Sequence, residues 1–277
     1  MPKLSIAQRR LGLELRRLRG EAGRTLEDVA EVMEWSASKL SRVEVGETRV
    51  LGRDVRLLCE VLGAEPGVAE ALAELVTAAK VKGWWEPYRD VLGGNYIPFE
   101  AEAEEVNEFQ IEVVCGLLQT SDYTRAIMRG SRLDASDEEI ERRVQIRMDR
   151  QLALDRSTKP LKLWSIISEG ALRRQIGGPD VLRAQLRHLA KQTERPNIDV
   201  QVLPFDAGAH PAISMPFSIL RFTGTDPLIF GNGIADNTEI ENPTERQRAL
   251  ATFDWLRAQA ESPERSRRII TEAAMAV

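Results

Sequence analysis

The residues TLEDVAEVMEWSASKLSRVEVG, numbers 25–46, decide the fold of the first part of the chain. Thr25 to Asp28 has the form of a capping box, in which a threonine and an acidic residue three positions later satisfy each other's backbone amides. The apolar residues that follow have the spacing of one helix face: Leu26, Val29, Ala30 and Met33. Ser36 is a preferred N-cap for a third helix, Ala37 to Val43, which Gly46 is placed to close. This stretch therefore predicts two short helices joined by a tight turn.

Three further apolar stripes with helical spacing surround this stretch, one before it and two after it. They are Leu11, Leu15, Leu18 and Ala22; Leu51, Val55, Leu58 and Leu62; and Val68, Leu72, Leu75 and Ala79. Five short helices in succession predict a compact all-α domain, which we bound at residues 1–82.

The helix after Ser36 has the length and the side chains of a helix that reads DNA. Leu40 and Val43 face the predicted core, so the opposite face presents small or long polar side chains that can reach base edges in a major groove. The predicted base-contacting residues are Ser36, Ala37, Ser38, Lys39 and Arg42. The predicted phosphate-contacting residues are Arg24, Thr25, Arg49 and Arg53, of which Thr25 opens a helix N-terminus.

Composition narrows the classes of protein that fit. The 277 residues are 43% hydrophobic and 29% charged, which is ordinary for a globular protein, and no apolar run is long enough for a membrane span. The start of the chain lacks the apolar core of a secretory signal, so we expect a cytoplasmic location and no membrane partner. Two cysteines without a CxxC partner and only two histidines argue against a metal site, and we expect no cofactor.

Charge is distributed unevenly along the chain. Residues 1–57 hold 12 Lys and Arg against 9 Asp and Glu, whereas residues 83–277 hold 24 against 30. A slightly basic N-terminal part followed by an acidic remainder is compatible with an N-terminal domain that binds nucleic acid, although the excess of basic over acidic residues is small.

The segment from Gly83 to Tyr88 breaks the helical pattern, and we place the domain junction there. Residues 83–277 are predicted to form a mixed α/β domain with a small sheet, so the fold class is α+β overall. Strands are predicted at Leu161 to Ser168 and Asn197 to Pro204, with a helix between them, as in a parallel β-α-β unit. Further elements are strands at 217–222 and 228–230 and a final helix at 244–259. The glutamate-rich segment from Phe99 to Val114 is predicted to be the solvated face of an amphipathic helix.

Candidate site residues in this domain are aromatic or cationic. For an effector or protein partner we select Trp84, Trp85, Tyr88, Arg173, Arg174 and His210. The tryptophans fit either a plug between domains or the wall of a ligand pocket. Asp206 with His210 could form an acid–base pair in a cryptic hydrolase. Because no nucleophile elbow, GxxxxGK[ST] or GxGxxG motif accompanies that pair, we expect no enzyme.

The stretch from Thr25 to Gly46 resembles the helix-turn-helix of the XRE/Cro repressor family. The matching positions are Thr25-Leu26, Val29-Ala30, Trp35-Ser36, Ser38, Leu40 to Glu44 and Gly46. Glu34 stands where that family has glycine in the turn, and a left-handed glutamate costs on the order of 1 kcal/mol.

The rest of the chain resembles the C-terminal domain of actinomycete antitoxin-like XRE regulators. The motifs are Trp84-Trp85-x-x-Tyr88, Gly116-Leu-Leu-Gln-Thr120, Arg147-x-x-Arg150-Gln151, Glu169-x-x-Leu172-Arg173, Gln201-Val-Leu-Pro204 and Ser262-Pro-Glu-x-Ser266. The chain departs from this family's sequence pattern at two places. Cys115 stands where the family has a proline, and the segment from Gly231 to Ile240 differs from the family's segment. The resemblance implies a transcription factor that is often associated with a small protein encoded nearby.

We therefore expect a transcriptional regulator that binds double-stranded DNA as a homodimer. Two recognition helices about 34 Å apart would read a pseudo-palindrome. The C-terminal domain would provide the dimer contacts and bind a small-molecule effector or a small co-encoded protein. The alternatives are an antitoxin-like protein–protein interaction module and the cryptic hydrolase.

Overall fold

A computed structural model describes residues 6–78, 83–88, 90–92, 94–223, 225–233 and 237–277. The chain divides into two compact units, Met1–Glu86 and Pro87–Val277. The division falls after Glu86, whereas the sequence analysis placed the junction at residue 83; Trp84 and Trp85 accordingly belong to the first unit.

The first unit contains the five predicted helices, which are confirmed. They are α1 (Ile6–Glu21), α2 (Leu26–Val32), α3 (Ala37–Glu44), α4 (Gly52–Val61) and α5 (Pro66–Ala78). Their inward faces form one apolar core, whose fully buried members include Leu15, Val29, Leu40, Val55 and Leu58. The core residues come from every helix, so burial of these stripes holds the short helices together.

Local capping signals set the ends of α2 and α3. Thr25 Oγ1 accepts a hydrogen bond from the Asp28 amide at 3.1 Å, and the Thr25 amide donates to Asp28 Oδ2 at 2.9 Å, which completes the predicted capping box. Ser36 Oγ accepts from the Lys39 amide at 3.1 Å. In the turn between these helices Glu34 has φ of 53°, the left-handed conformation that the departure from glycine predicts.

The second unit is built on a six-stranded mixed sheet. Its strands are β1 (Glu105–Gln110), β2 (Lys162–Ser168), β3 (Ile198–Leu203), β4 (Phe217–Phe222), β5 (Thr225–Asn232) and β6 (Asn237–Glu239). The order is β3-β2-β1-β4-β5-β6, with β3, β2 and β1 parallel and the remaining neighbours antiparallel. The predicted β-α-β unit and the mixed α/β domain are confirmed, because α10 (Pro179–Gln192) connects the parallel strands β2 and β3.

The other helices of the second unit are α6 (Tyr96–Glu102), α7 (Ser121–Ser131), α8 (Asp137–Gln151), α9 (Gly170–Arg173), α11 (Pro243–Gln259) and α12 (Pro263–Ala276). Helix α11 covers part of one sheet face, where Phe253 and Leu256 pack with Phe109 and Ile166. Helix α12 is an element that the sequence analysis missed, because it ended the last helix at residue 259. It packs against α10 and β3, and the side chain of Ser266 accepts a hydrogen bond from the Val202 amide at 2.9 Å.

The prediction for the glutamate-rich segment is wrong. Instead of a solvated helix face, the segment forms the end of α6 and the inner strand β1, and Glu100 and Glu108 are only 1% and 2% exposed. Arg150 makes the burial of Glu100 tolerable by donating from Nε and Nη2 to the two Glu100 oxygens at 2.7 Å each. Glu108 accepts from Gln110 and from the Cys115 thiol, and burial raises its pKa.

Candidate nucleic-acid interface

The five predicted base-contacting residues lie at the N-cap and along the outer side of α3. Ser36, Ser38 and Arg42 are exposed, whereas Ala37 and Lys39 are half-buried. Ala37 packs in part against the helical core, and Lys39 Nζ lies 3.6 Å from the centroid of the Trp35 ring. Among the described residues Arg42 has no ion-pair partner, so its guanidinium can bind a ligand without giving up an internal bond.

The inner side of α3 is fixed to α1 by a partly buried ion pair. Glu44, the last residue of α3, is 4% exposed, and its carboxylate accepts from Arg19 Nε at 2.6 Å and from Nη2 at 2.9 Å. Arg19 also donates from Nη1 to the carbonyl of Arg24 at 3.0 Å. The bidentate geometry fixes the direction as well as the distance of the contact. Arg19 and Glu44 therefore act as positioning residues, a role that the sequence analysis assigned to neither of them.

The close approach of α1 and α3 depends on Gly12. A Cβ atom at this position would lie 2.4 Å from the Glu44 carbonyl oxygen and 2.7 Å from the Val43 carbonyl oxygen. Both neighbours are backbone atoms, so they cannot rotate away as a side chain would. Gly12 lies inside the predicted first helix, next to Leu11 of its apolar stripe, and a glycine within a helical pattern was the available signal.

The predicted phosphate contacts are three arginines and one threonine. Arg24, Arg49 and Arg53 are exposed, and the Arg53 guanidinium lies 3.5 Å from Asp54 in a solvent-exposed pair that contributes little. Thr25 differs, because its hydroxyl and its amide are both bonded to Asp28. These bonds lower the pKa of Asp28, so a carboxylate occupies the start of α2. Phosphate attraction at this surface therefore depends on the arginines.

Three of the six effector or partner candidates follow the carboxyl ends of β2 and β3. Arg173 donates from Nε to Glu169 Oε1 at 2.7 Å, and Arg174 pairs with Glu112, which follows β1. The His210 ring packs edge-on against Phe109 with centroids 5.4 Å apart. Its Nδ1 is buried with no hydrogen-bond partner among the described residues, and burial lowers its pKa.

The other three candidates occupy different places. Trp84 and Trp85 pack edge-on against each other in the first unit, with ring centroids 6.0 Å apart. Tyr88 belongs to the second unit, and its hydroxyl donates to Asp149 Oδ2 of α8 at 2.9 Å. No hydrogen bond between described atoms joins Asp206 to His210, the pair considered for hydrolysis.

In the part of the chain that the structure describes, no helix has both the length and the apolar character needed to cross a membrane.

Comparison with known families finds two matches, one within each of the two units. Residues 10–73 match a family described as a helix-turn-helix domain, and residues 94–272 match a family described as a domain of unknown function, DUF5753. No curated protein and no solved structure gives a significant match. Because the second match covers more than half of the chain, the protein belongs to the DUF5753 family. The helix-turn-helix match supports DNA binding and a role in transcription regulation.

Proposed function

We propose that this member of the DUF5753 family is a sequence-specific transcriptional regulator whose helix α3 reads bases in the DNA major groove. One observation carries the proposal. The outer side of α3 presents Ser36, Ser38 and Arg42, which has no ion-pair partner in the part of the chain that the structure describes, while its inner end is fixed to α1 through Glu44 and Arg19. A helix that is rigid on its inner side and unbonded on its outer side is suited to recognition, because little order has to be gained on binding.

Each residue of this surface has a chemical role in the proposal. Arg42 donates to the acceptors O6 and N7 of a guanine, and Ser36 and Ser38 bond to base edges of either kind. Lys39 reaches a guanine after leaving the Trp35 ring, and the Ala37 methyl group contacts a thymine methyl. The phosphate contacts that fix the register come from Arg24, Arg49 and Arg53, with Thr25 beside them.

We further propose that the regulator acts in the cytoplasm as a homodimer. One module with so small an excess of basic residues binds DNA weakly, and two modules about 34 Å apart would read a pseudo-palindrome with combined affinity. The second unit would make the dimer contacts and bind an effector or a small co-encoded protein near Arg173, Arg174 and His210, with Trp84, Trp85 and Tyr88 as further candidates. We assign it no catalytic role and no cofactor. A monomer in sedimentation at micromolar concentration, both free and on DNA, would disprove the dimer.

Fluorescence anisotropy with DNA from upstream of the protein's own gene tests the reading of bases. The wild type is compared over a salt series with Ser38→Ala/Arg42→Ala and with Arg16→Ala, which removes an exposed arginine of α1. We expect salt-sensitive, sequence-selective binding by the wild type and the Arg16 variant. The recognition variant should lose selectivity by roughly tenfold or more, because a good bidentate contact contributes about 1–3 kcal/mol of discrimination.

Equal, weak binding of all three proteins to any DNA would overturn this proposal. The helical unit would then be a protein-interaction module of the antitoxin-like kind. Uniform loss of affinity in the Ser38→Ala/Arg42→Ala variant, with selectivity unchanged, would assign Arg42 to the phosphates rather than to the bases and would also contradict the proposed role of α3.

A further inference from the structure

The second unit contains a cavity of about 720 Å³ at the amino ends of β1, β2 and β3. It lies at the opposite ends of the parallel strands from Arg173, Arg174 and His210, so it is separate from the candidates considered above. Its volume falls in the range of small-molecule sites, about 300–1,000 Å³.

The floor of this cavity, which we call the amino-end cavity, is a row of side chains in register across three strands. Asn107 of β1 is paired with Trp164 of β2, and Trp164 is paired with Asp199 of β3. The indole is held in place because its Nε1 donates to Gln201 Oε1 at 2.8 Å, and the Arg257 guanidinium lies 5.0 Å from the ring centroid. The cavity therefore has a fixed aromatic group beside polar ones.

Some of the charges that line the cavity neutralise one another. Lys159 lies 3.2 Å from Glu104, and Arg221 lies 3.4 Å from Glu105. Three charged residues remain: Lys162, Arg257 and the half-buried Asp199 have no ion pair and no side-chain hydrogen bond among the described residues. Burial raises the pKa of Asp199, which is the effect of a carboxylate that has lost water and gained no partner.

The positions of Lys162 and Asp199 suggest what would satisfy their charges. Lys162 lies two residues before Trp164 on β2 and Asp199 is opposite Trp164 on the parallel strand β3, so the two share a face as diagonal neighbours, with Cα atoms about 8 Å apart from the strand spacing and the rise per residue. A molecule whose ammonium and carboxylate groups are separated by a few ångströms, with a hydrogen bond of about 2.9 Å at each end, spans such a gap.

We propose that the amino-end cavity binds a small zwitterion of the amino-acid class. Its ammonium group donates to Asp199, its carboxylate accepts from Lys162 and Arg257, and its remaining part packs against Trp164. This inference deepens the proposed sensor role of the second unit by giving the effector a chemical class. It rests on that role only for the effect of the ligand on DNA affinity, because ligand binding itself can be measured without DNA.

The test is titration calorimetry of the full chain, without DNA, against each of the twenty free L-amino acids. The variants are Asp199→Asn and Lys162→Met, which keep the size of the side chain and remove its charge. Asp180→Asn and Lys191→Met are the controls, because both are exposed residues of α10 away from the cavity lining. We expect at least one amino acid to bind, a loss of at least tenfold in affinity in each cavity variant, and a change of less than twofold in each control.

The ligand's own charges give a second readout. The N-acetyl and the carboxamide derivatives of the bound amino acid each lack one charge, and both should bind at least tenfold more weakly. Binding by none of the twenty would overturn the proposal, and so would binding that Asp199→Asn leaves unchanged or derivatives that bind as well as the parent. These outcomes are independent of the anisotropy experiment, so failure of the ligand site and failure of DNA recognition are distinguishable.

Discussion

The contact between α1 and α3 makes a specific prediction for Gly12→Ala. The new Cβ would lie 2.4 Å from one backbone carbonyl oxygen and 2.7 Å from another, and it would reach ordinary contact only if the helices separated by about 1 Å. Inserting a methyl group into a packed interface of this kind costs about 1–3 kcal/mol. Alanine recovers about 1 kcal/mol through its better helix propensity, so we expect a net loss of roughly 0–2 kcal/mol in the stability of the first unit.

Gly20→Ala is the matched control, because it makes the same change in the same helix. No heavy atom lies within 4 Å of its new Cβ, so only the propensity gain remains, and we expect stabilisation of up to about 1 kcal/mol. Both variants gain helix propensity, Gly20→Ala the less because it lies in the last turn of α1, so the difference between them chiefly reflects the steric cost. At 1–3 kcal/mol the ratio of local opening constants is roughly 5- to 150-fold.

Hydrogen exchange followed by mass spectrometry on peptides from α1 and α3 measures this ratio in the first unit alone. The Gly12 variant should exchange faster than the wild type or at an equal rate, and the Gly20 variant should exchange more slowly than the wild type in the same peptides. The Gly12 variant should also bind DNA more weakly, because α3 is displaced. Equal protection in the two variants would refute the close approach and with it the argument that α1 positions the recognition helix.

Two more predictions concern a strained residue and the histidines. Glu34→Gly should raise the stability of the first unit by up to about 1 kcal/mol, because glycine adopts φ of 53° without the Cβ penalty. The control Glu31→Gly, inside α2, should lower the stability by about the same amount. A lower melting temperature for Glu34→Gly would contradict the left-handed turn. Burial lowers the pKa of His188 and of His210 below 6.5 in the folded state. Just below that pH the unfolded state therefore binds more protons than the folded state. The free energy of unfolding should consequently fall as the pH drops from about 6.5 towards the lowered folded-state pKa values. They are the only two histidines in the chain, and urea denaturation of His188→Gln/His210→Gln should show a flatter pH profile in that window; an unchanged slope would assign the effect to other groups.

The parts of the fold that the sequence predicted depend on short-range signals. The capping box of Thr25 and Asp28 and the cap from Ser36 to the Lys39 amide each span three residues, so they can be recognised within a single window. The parallel strands were recognisable from different patterns: β2 is an apolar, β-branched run, and β3 alternates between apolar and polar residues. The start of α12 carries the same kind of signal, a serine cap with a proline at the first helical position, and this signal was overlooked.

The predictions that were wrong or missing concern residues whose interaction partners lie far away in the sequence. The glutamates of β1 and α6 were read as solvated because Arg150, which neutralises Glu100, comes fifty residues later. The same difference between short-range and long-range signals explains which residues of the candidate interface could be predicted. The exposed residues Ser36, Ser38 and Arg42 follow from helical periodicity, whereas the pair of Arg19 and Glu44 spans twenty-five residues and cannot be seen in either helix by itself.

A ligand in the amino-end cavity can regulate DNA binding only if it binds two states of the chain with different affinity. A tenfold change in DNA affinity corresponds to about 1.4 kcal/mol of coupling, and saturation with DNA must then change the ligand's dissociation constant by the same tenfold. Titration of the amino acid with and without bound DNA therefore separates two functions that the cavity alone does not distinguish. A tenfold difference identifies a sensor, while equal constants identify a ligand that stabilises the second unit without informing the first.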